Sequence, residues 1–460
     1  MATRFRAGTL HYSLWGLLAV TGWLLVGELG IAMRDRWAQP IGLVVLRNVG
    51  ASDTSIALLL STVPAVISLL LVPAIGLRSD RCRSPWGRRR PYLLVSAPLG
   101  AIAMLCVAAA PTLAAFCHGL LGAWSPGQRA LDLGFFCLFW TVFEAAAMTT
   151  VALFNGLVND VMPHGLLGRL YAVLRILGLG VAIFFNMSLF ALADTRLFEL
   201  LLSIALVFGL SIPLMCLMVR EGAYATPAPA PAPAHAAHAA HAAHTPRILA
   251  RAPARTQLLQ CCAQRRHLWA FGAFMLAAVT FSPFNTFSQN YALGLGLTKA
   301  ELGALTATGY AVSIAGAFGI GWLADRFGAV RVATAMMALY SLIAVGGWLL
   351  VRDGSAFRAF YLAHVIVSGA YFTAAAAMPM DVFPRAEFVR YNASKDIMVA
   401  LANILVGTCL GPLLDLSGHD YRLTLASAAL FSLLCLGCLG RLPGRAAAAE
   451  PEPAPACTLP

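Results

Sequence analysis

The sequence predicts an all-α integral membrane protein with twelve transmembrane helices in two pseudo-symmetric six-helix bundles. The chain of 460 residues is 60% hydrophobic and only 11% charged, whereas soluble domains carry about a quarter charged residues. Its apolar segments have the length of about 20 residues that a helix needs to cross a bilayer. A loop motif also occurs twice, each time after the second apolar segment of one half, which indicates an internal duplication.

The apolar segments delimit the helices in chain order. They cover 13–46, 54–77, 92–110, 132–158, 167–190 and 197–219, then 267–292, 300–323, 330–351, 357–379, 389–414 and 422–440. We therefore predict four regions, which are an N-terminal half at 1–219, a linker at 220–266, a C-terminal half at 267–440 and a tail at 441–460.

The linker contains an Ala/Pro/His repeat without apolar periodicity, so we expect it to be partly disordered and cytoplasmic. Four of its histidines, at 235, 238, 241 and 244, recur every third residue. Imidazole is a common metal ligand. A repeat of this kind is nevertheless typical of a solvated low-complexity segment, and we predict no metal site.

The net charge of +12 comes from arginines concentrated in alternating loops, a pattern that sets topology in membrane proteins. It predicts a multi-pass protein of the inner or plasma membrane with both termini cytoplasmic. Membrane lipids rather than nucleic acid are the expected partners of this charge, and we expect a monomer. The chain has no nucleotide-binding loop, no His-Glu-x-x-His motif and no plausible Ser/His/Asp set. We therefore predict neither an enzyme nor a bound cofactor.

The duplicated motif consists of a glycine, three residues, Asp-Arg and a further glycine. Its first copy lies within Gly76–Pro91, and its second within Gly321–Gly328. The two glycines allow neighbouring helices to approach, and the two aspartates can accept hydrogen bonds from exposed amides at another helix's N-terminus. The motif thus predicts a conformational latch, although the arginines could serve topology alone. The latch residues are Gly76, Asp80, Arg81, Gly87, Arg88, Asp325 and Arg326.

This motif resembles the loops that join the second to third and the eighth to ninth helices of the major facilitator superfamily. In the first copy, a five-residue insert before Gly87 is followed by a triple arginine and Pro91. It closely resembles the plant sucrose–proton symporters and their animal relatives. The resemblance is specific in this loop and weak in the second half, and it implies a transporter with a sugar and a proton as substrates.

Few charges lie within the apolar segments, and each must have a partner, a wet cavity or an interfacial position. In the first segment Glu28, Asp35 and Gln39 share one helical face, which can line a cavity, with Arg34 and Arg36 on either side. The alternative is that the helix ends near Met33 and leaves these arginines at the surface.

Glu144 is the most deeply placed isolated acid, in the fourth segment. A desolvated carboxyl can exchange a proton as a cavity alternates between wet and closed states. The resemblance implies that Glu144 occupies the proton-coupling position, for which Glu28 and Asp35 compete. The symporters' arginine on this helix is replaced here by Asn155, so Arg34, Arg36 or Arg175 are candidates for the missing charge.

The seventh segment offers the amides Asn285 and Gln289 for a hydroxyl-rich ligand. Trp140, Phe281 and Phe284 are candidates for stacking against a sugar ring. The turn from Asp415 to Arg422 receives no chemical role.

These features favour a secondary transporter that moves a sugar or glycoside together with a proton by alternating access. One alternative is an exporter or antiporter of an amphipathic metabolite, which the low polarity of the second half suits. Another is a sugar sensor that does not transport and signals through the linker.

Overall fold

The computed structural model describes residues 5–7, 9–222, 265–383 and 388–442. The histidine repeat, most of the predicted linker and most of the predicted tail lie outside the described residues. Twelve long helices make up most of the described chain. They are α1 (Leu14–Val49), α2 (Asp53–Arg81), α3 (Arg90–Trp124), α4 (Gln128–Val161), α5 (Leu167–Asp194), α6 (Leu197–Met218), α7 (Arg265–Gly294), α8 (Lys299–Phe327), α9 (Ala329–Leu350), α10 (Gly354–Ala375), α11 (Phe388–Leu416) and α12 (Arg422–Leu439).

Eleven of the described helices are long and apolar enough to cross a membrane. The helix α10 has 22 residues, enough to span the hydrocarbon core. It carries Arg358 and His364, which lower its apolarity. The predicted all-α membrane fold is confirmed. A small antiparallel hairpin, Phe5–Ala7 paired with Leu10–Tyr12, precedes α1 and was not predicted.

The two halves repeat the same packing. In the first half α3 packs against α4 and α6, and in the second half α9 packs against α10 and α12. The pairs α2/α4 and α1/α6 likewise correspond to α8/α10 and α7/α12. This equivalence agrees with the internal duplication that the loop motif predicted.

The molecule has two ends, which we call the basic end and the opposite end. The basic end carries the loop between α2 and α3, with Arg83, Arg88 and Arg89. The hairpin lies there too, since the Tyr12 hydroxyl donates to the Val161 carbonyl at the end of α4 over 3.0 Å. The opposite end carries the turns that follow α1 and α11.

The halves meet closely at the opposite end, where α2 crosses α11 and α5 crosses α8. A Cβ added at Gly303 of α8 would lie 2.1 Å from the Asn186 carbonyl oxygen of α5. One added at Gly411 of α11 would lie 2.6 Å from the Thr54 Cα of α2. Such small residues let helix backbones touch. This end of the molecule is therefore closed.

Candidate functional site

A cavity of about 610 Å³ lies between the two halves, within the range of about 300–1,000 Å³ that is usual for small-molecule sites. Both halves contribute polar side chains to its wall. They are Asp35, Arg36, Gln39, Arg175 and Asn186 from the first half, and Asn285, Thr286, Ser288, Gln289, Thr306, Ser313, His364 and Ser368 from the second. The wall therefore offers many hydrogen-bond partners and several charges to one ligand.

Six of the candidate residues lie in this wall, namely Asp35, Arg36, Gln39, Arg175, Asn285 and Gln289. Glu28 does not, although it shares their predicted helical face. It lies farther toward the basic end, where its carboxylate is near Gly178 of α5.

Asn155 also lies outside the wall. It is exposed on α4, and its carbonyl accepts a hydrogen bond from Tyr171 over 3.5 Å. The position that the resemblance aligned with the symporters' arginine therefore does not face the cavity in this conformation.

Glu144 forms a buried ion pair with Arg34, whose Nη2 donates to the Glu144 Oε2. The Arg34 side chain is 13% exposed and that of Glu144 is 8% exposed. The other terminal nitrogen of Arg34 donates to Asp35 over 2.6 Å. Of the three arginines considered from the sequence, Arg34 is thus the one that contacts Glu144.

Arg34 and Asp35 are consecutive residues of α1 that point in different directions. The helix continues past Met33, so the alternative in which it ends there is wrong, and residues Arg34–Ala38 form a π-helical turn. Such turns often occur at functional sites. Within this turn Arg34 contacts Glu144 of α4 while Asp35 lines the cavity, so the ion pair adjoins the cavity wall.

Two further arginines connect the halves across the cavity. The guanidinium of Arg36 lies over the ring of Tyr310 on α8, 5.9 Å from its centroid. Arg175 on α5 donates to the Thr373 hydroxyl on α10 over 3.1 Å. Arg175 therefore lines the cavity.

The aromatic side chains chosen from the sequence do not line the cavity. Trp140 is buried, and a Cβ added at Gly42 of α1 would lie 2.6 Å from its ring. Phe281 and Phe284 are buried within the second half. The aromatic residues of the wall are instead Phe190, Tyr310, Tyr361 and Phe372. Composition alone could not distinguish these two groups.

The first copy of the loop motif forms a charge network within the first half. Arg89 lies 3.3 Å from Asp80 and 2.6 Å from Asp160. Arg88 contacts the same two aspartates, at 3.7 Å and 2.6 Å. Asp80 thus pairs with arginine side chains, whereas the sequence suggested that it caps another helix.

The capping role belongs to Glu221, which follows α6. Its carboxylate accepts the backbone N–H groups of Arg88, Arg89 and Arg90 at the start of α3, over 2.9–3.0 Å. Gly87 has a φ of +103°, and a Cβ there would lie 2.6 Å from the Glu221 carboxyl carbon. This glycine therefore makes room for the cap.

The close-approach role predicted for Gly76 and Gly321 is not supported in this conformation, because a Cβ added at either would meet nothing within 4 Å. In the second copy, Arg326 stacks over the Trp322 ring at 5.3 Å. Asp381, after α10, accepts the Ala329 N–H at the start of α9 over 3.3 Å. Like Glu221, Asp381 is an acid at a helix N-terminus that the sequence did not predict.

Six residues that bridge the halves at the opposite end form what we call the inter-half cluster. Asp415 of α11 accepts the backbone N–H groups of Asp53 and Thr54 at the start of α2, each over 2.9 Å. The Asp53 carboxylate accepts from Tyr421 over 3.1 Å and contacts the His419 ring at 2.7 Å. The cluster consists of Arg47, Asp53, Asn290, Asp415, His419 and Tyr421.

Arg47 at the end of α1 completes the cluster by donating to Asn290 and to the Tyr421 hydroxyl, both over 2.8 Å. Burial raises the pKa of Tyr421 to about 12, so its hydroxyl keeps the proton that it donates to Asp53. Sequence reasoning missed this role because Asp415 and His419 resemble ordinary turn residues.

Comparison with known proteins agrees with this architecture. The family described as MFS/sugar transport protein matches residues 46–409. The chain belongs to this family of transporters. The predicted membership of the major facilitator superfamily is thereby confirmed.

Two relatives match shorter segments. The proton-associated sugar transporter A of Mus musculus is 40% identical over 98 residues, which are 21% of this chain and 12% of that protein. The sucrose transport protein SUT1 of Oryza sativa subsp. japonica is 30% identical over 86 residues, 18% of this chain and 16% of that protein. The matched segments thus span less than a fifth of either relative.

Among solved structures, the nucleoside transporter NupG superposes with a TM-score of 0.63 at 14% identity, covering 92% of this chain and 98% of its own. At this identity the likeness shows the fold alone.

Proposed function

We propose that the protein is a secondary active transporter that moves a sugar or glycoside together with a proton. The observation that carries this proposal is the buried Arg34–Glu144 pair beside a polar cavity between the halves. The similarity to sugar transporters supports the substrate class. The many hydroxyl and amide groups of the wall suit a ligand rich in hydroxyls.

The basic end faces the cytoplasm in this proposal, because arginine-rich loops remain on that side of a membrane. The closed opposite end then faces outward, and the cavity belongs to an inward-facing conformation. Alternating access requires the inter-half cluster to separate when the cavity opens to the outside.

The proton acts at Glu144. Binding a proton there removes the buried one of the two negative charges beside Arg34 and leaves only the more exposed Asp35, and a buried cation with less compensation is costly. Arg34 therefore turns toward Asp35 and the cavity, where it changes the charge presented to the ligand. Proton binding and substrate binding are coupled in this way through one guanidinium.

Uptake of labelled sucrose, maltose and glucose into proteoliposomes tests the proposal, measured with and without an inward proton gradient. We expect the gradient to drive accumulation of one of these sugars. In Glu144→Gln the accumulation disappears but exchange of internal for external sugar remains, because the cavity persists while the proton-binding carboxylate is gone.

Glu199→Gln is the matched control, because Glu199 is exposed on α6 and pairs with Arg196, three residues away. It should accumulate sugar as the wild type does. Normal accumulation in Glu144→Gln would overturn the assignment of the proton site. Efflux driven by the opposite gradient would instead favour the exporter, and binding without movement of any sugar would favour the sensor.

A further inference from the structure

One wall of the cavity continues into the second half as a chain of three hydrogen-bonded residues. Asn285 of α7 lines the cavity and is exposed to it. Its Oδ1 lies 2.9 Å from Nε2 of His364 on α10. Nδ1 of the same ring lies 2.9 Å from the Tyr340 hydroxyl on α9. Since His364 is 2% exposed and Tyr340 is 0% exposed, the chain runs from the cavity into the protein interior.

The inner end of this chain determines where its protons lie. Among the described residues, the His364 ring is the one hydrogen-bond partner of the Tyr340 hydroxyl. A buried hydroxyl proton without an acceptor is costly. The phenol therefore donates to Nδ1, and Nδ1 acts as an acceptor.

The acceptor role of Nδ1 determines which nitrogen of the His364 ring carries the proton. The His364 ring packs among aromatic side chains, with the Phe284 ring centroid at 4.7 Å and that of Tyr340 at 5.5 Å. No carboxylate of the described residues pairs with the ring, and an unpaired buried charge is unfavourable. A neutral imidazole has one donor and one acceptor nitrogen. With Nδ1 as the acceptor, Nε2 carries the proton and donates to Asn285.

The tautomer of His364 in turn determines the orientation of the Asn285 side-chain amide. The Asn285 oxygen accepts from His364, so its NH2 group is turned away from the ring, and no described residue accepts from it. We infer that Tyr340 and His364 are positioning residues which hold the Asn285 NH2 group toward the cavity. There it selects a substrate oxygen that can accept a hydrogen bond, such as a hydroxyl or ether oxygen of a sugar.

This inference rests on the proposed function for the identity of the ligand, but its proton assignment does not. The assignment has a direct readout in the 15N spectrum of protein labelled at histidine. The His364 signals are identified by their loss in His364→Gln. We expect a neutral ring with a protonated Nε2, and a ring protonated at Nδ1, alone or on both nitrogens, would overturn the inference whatever the protein transports.

Transport by the wild type supplies the second test, using the sugar that it accumulates. Asn285→Asp preserves the shape but replaces the donor with an acceptor, so KM should rise by about tenfold or more. Asn392→Asp makes the same change at a partly exposed position of α11 outside the cavity wall and should leave KM unchanged. A wild-type KM in Asn285→Asp would contradict the donor role.

Tyr340→Phe tests the positioning role at a residue that does not touch the cavity. Without the phenol the ring can take its other tautomer and the Asn285 amide can rotate. KM should then rise by about 3- to 10-fold while the maximal rate per folded molecule stays the same. A residue that only stabilises the fold would instead lower the amount of folded protein and leave KM unchanged.

The two failures can be told apart. If the wild type transports none of the tested sugars, the proposed function fails, and the tautomer of His364 still decides the inference. If the wild type transports a sugar but neither Asn285→Asp nor Tyr340→Phe changes KM, the inference fails and the proposed function stands.

Discussion

Arg34 has two acidic partners with different surroundings. It contacts the buried Glu144 on one side and Asp35, which is 42% exposed, on the other. Asp35 can exchange its contact with Arg34 for water, whereas Glu144 cannot. This asymmetry suits a guanidinium that moves between a buried position and the cavity when Glu144 changes its charge.

The buried pair also makes a prediction about stability. Arg34→Met leaves Glu144 as a buried acid without its partner, and breaking a buried pair typically costs about 3–5 kcal/mol. The double variant Arg34→Met/Glu144→Met removes both charges and should recover most of that loss. Thermal unfolding of the purified protein in detergent measures the effect.

The control for this pair of variants is Arg358→Met, because Arg358 forms an exposed pair with Glu301. Exposed pairs contribute about 0–1 kcal/mol, so this variant should unfold close to the wild type. An Arg34→Met protein that is as stable as the wild type would show that the pair is not structurally important.

At the scale of elements, an acidic cap stabilises the start of α3 at the basic end. Glu221 accepts three successive N–H groups of α3, which places a carboxylate at the positive end of the helix dipole. Arg88 and Arg89, which directly precede α3, contact Asp160 with their side chains. The cap thus connects the end of α6 to the network between α3 and α4.

We predict that Glu221→Ala lowers the free energy of unfolding by about 1–2 kcal/mol, because the amides lose their acceptor and the dipole its charge. It should also increase hydrogen exchange of the Arg88, Arg89 and Arg90 amides, which mass spectrometry can measure. Glu199→Ala removes an exposed acid in the first turn of α6 and should leave the exchange of the Arg88, Arg89 and Arg90 amides unchanged. Unaltered exchange in Glu221→Ala would exclude the capping role.

At the scale of the whole molecule, the two halves are held together at the opposite end. The inter-half cluster joins α1 and α2 to α7, α11 and the turn before α12, and Lys299 of α8 pairs with Asp194 of α5 nearby. Because these contacts join the halves, their strength sets the population of the conformation that is closed at this end.

Asp415→Asn should therefore shift the protein toward conformations that are open at the opposite end. Hydrogen bonds to a charged group contribute about 1.5–3 kcal/mol, enough to change the ratio of the two populations by roughly tenfold. Trp124 and Arg352 are exposed at this end on different halves. Double electron–electron resonance should show a longer distance between spin labels at these two positions in the variant than in the wild type.

Asp420→Asn is the matched control for this shift. Asp420 belongs to the same turn, but its carboxylate contacts Arg422 within its own half. The distance distribution of this variant should remain that of the wild type. A distribution that does not change in Asp415→Asn would mean that the cluster does not hold the halves together.

Much of the molecule could be predicted from the sequence for a definite physical reason. A bilayer demands long apolar helices, so hydropathy located spans such as α2 and α11 to within a few residues, although it ended the third segment at 110 whereas α3 continues to Trp124. The same cost of charge in hydrocarbon identified Glu144 and Asp35 as residues that need a special environment. The duplicated loop established the two halves because it recurs at equivalent positions.

The tertiary structure decided which of these residues meet. Arg34, Arg36 and Arg175 were equivalent candidates until the packing of α1 against α4 brought Arg34 to Glu144. Asp415 and His419 resembled turn residues until α11 was packed against α2. Such contacts depend on the rotation of one helix relative to another across 100 or more residues of sequence, and the local pattern of a single helix does not encode that rotation.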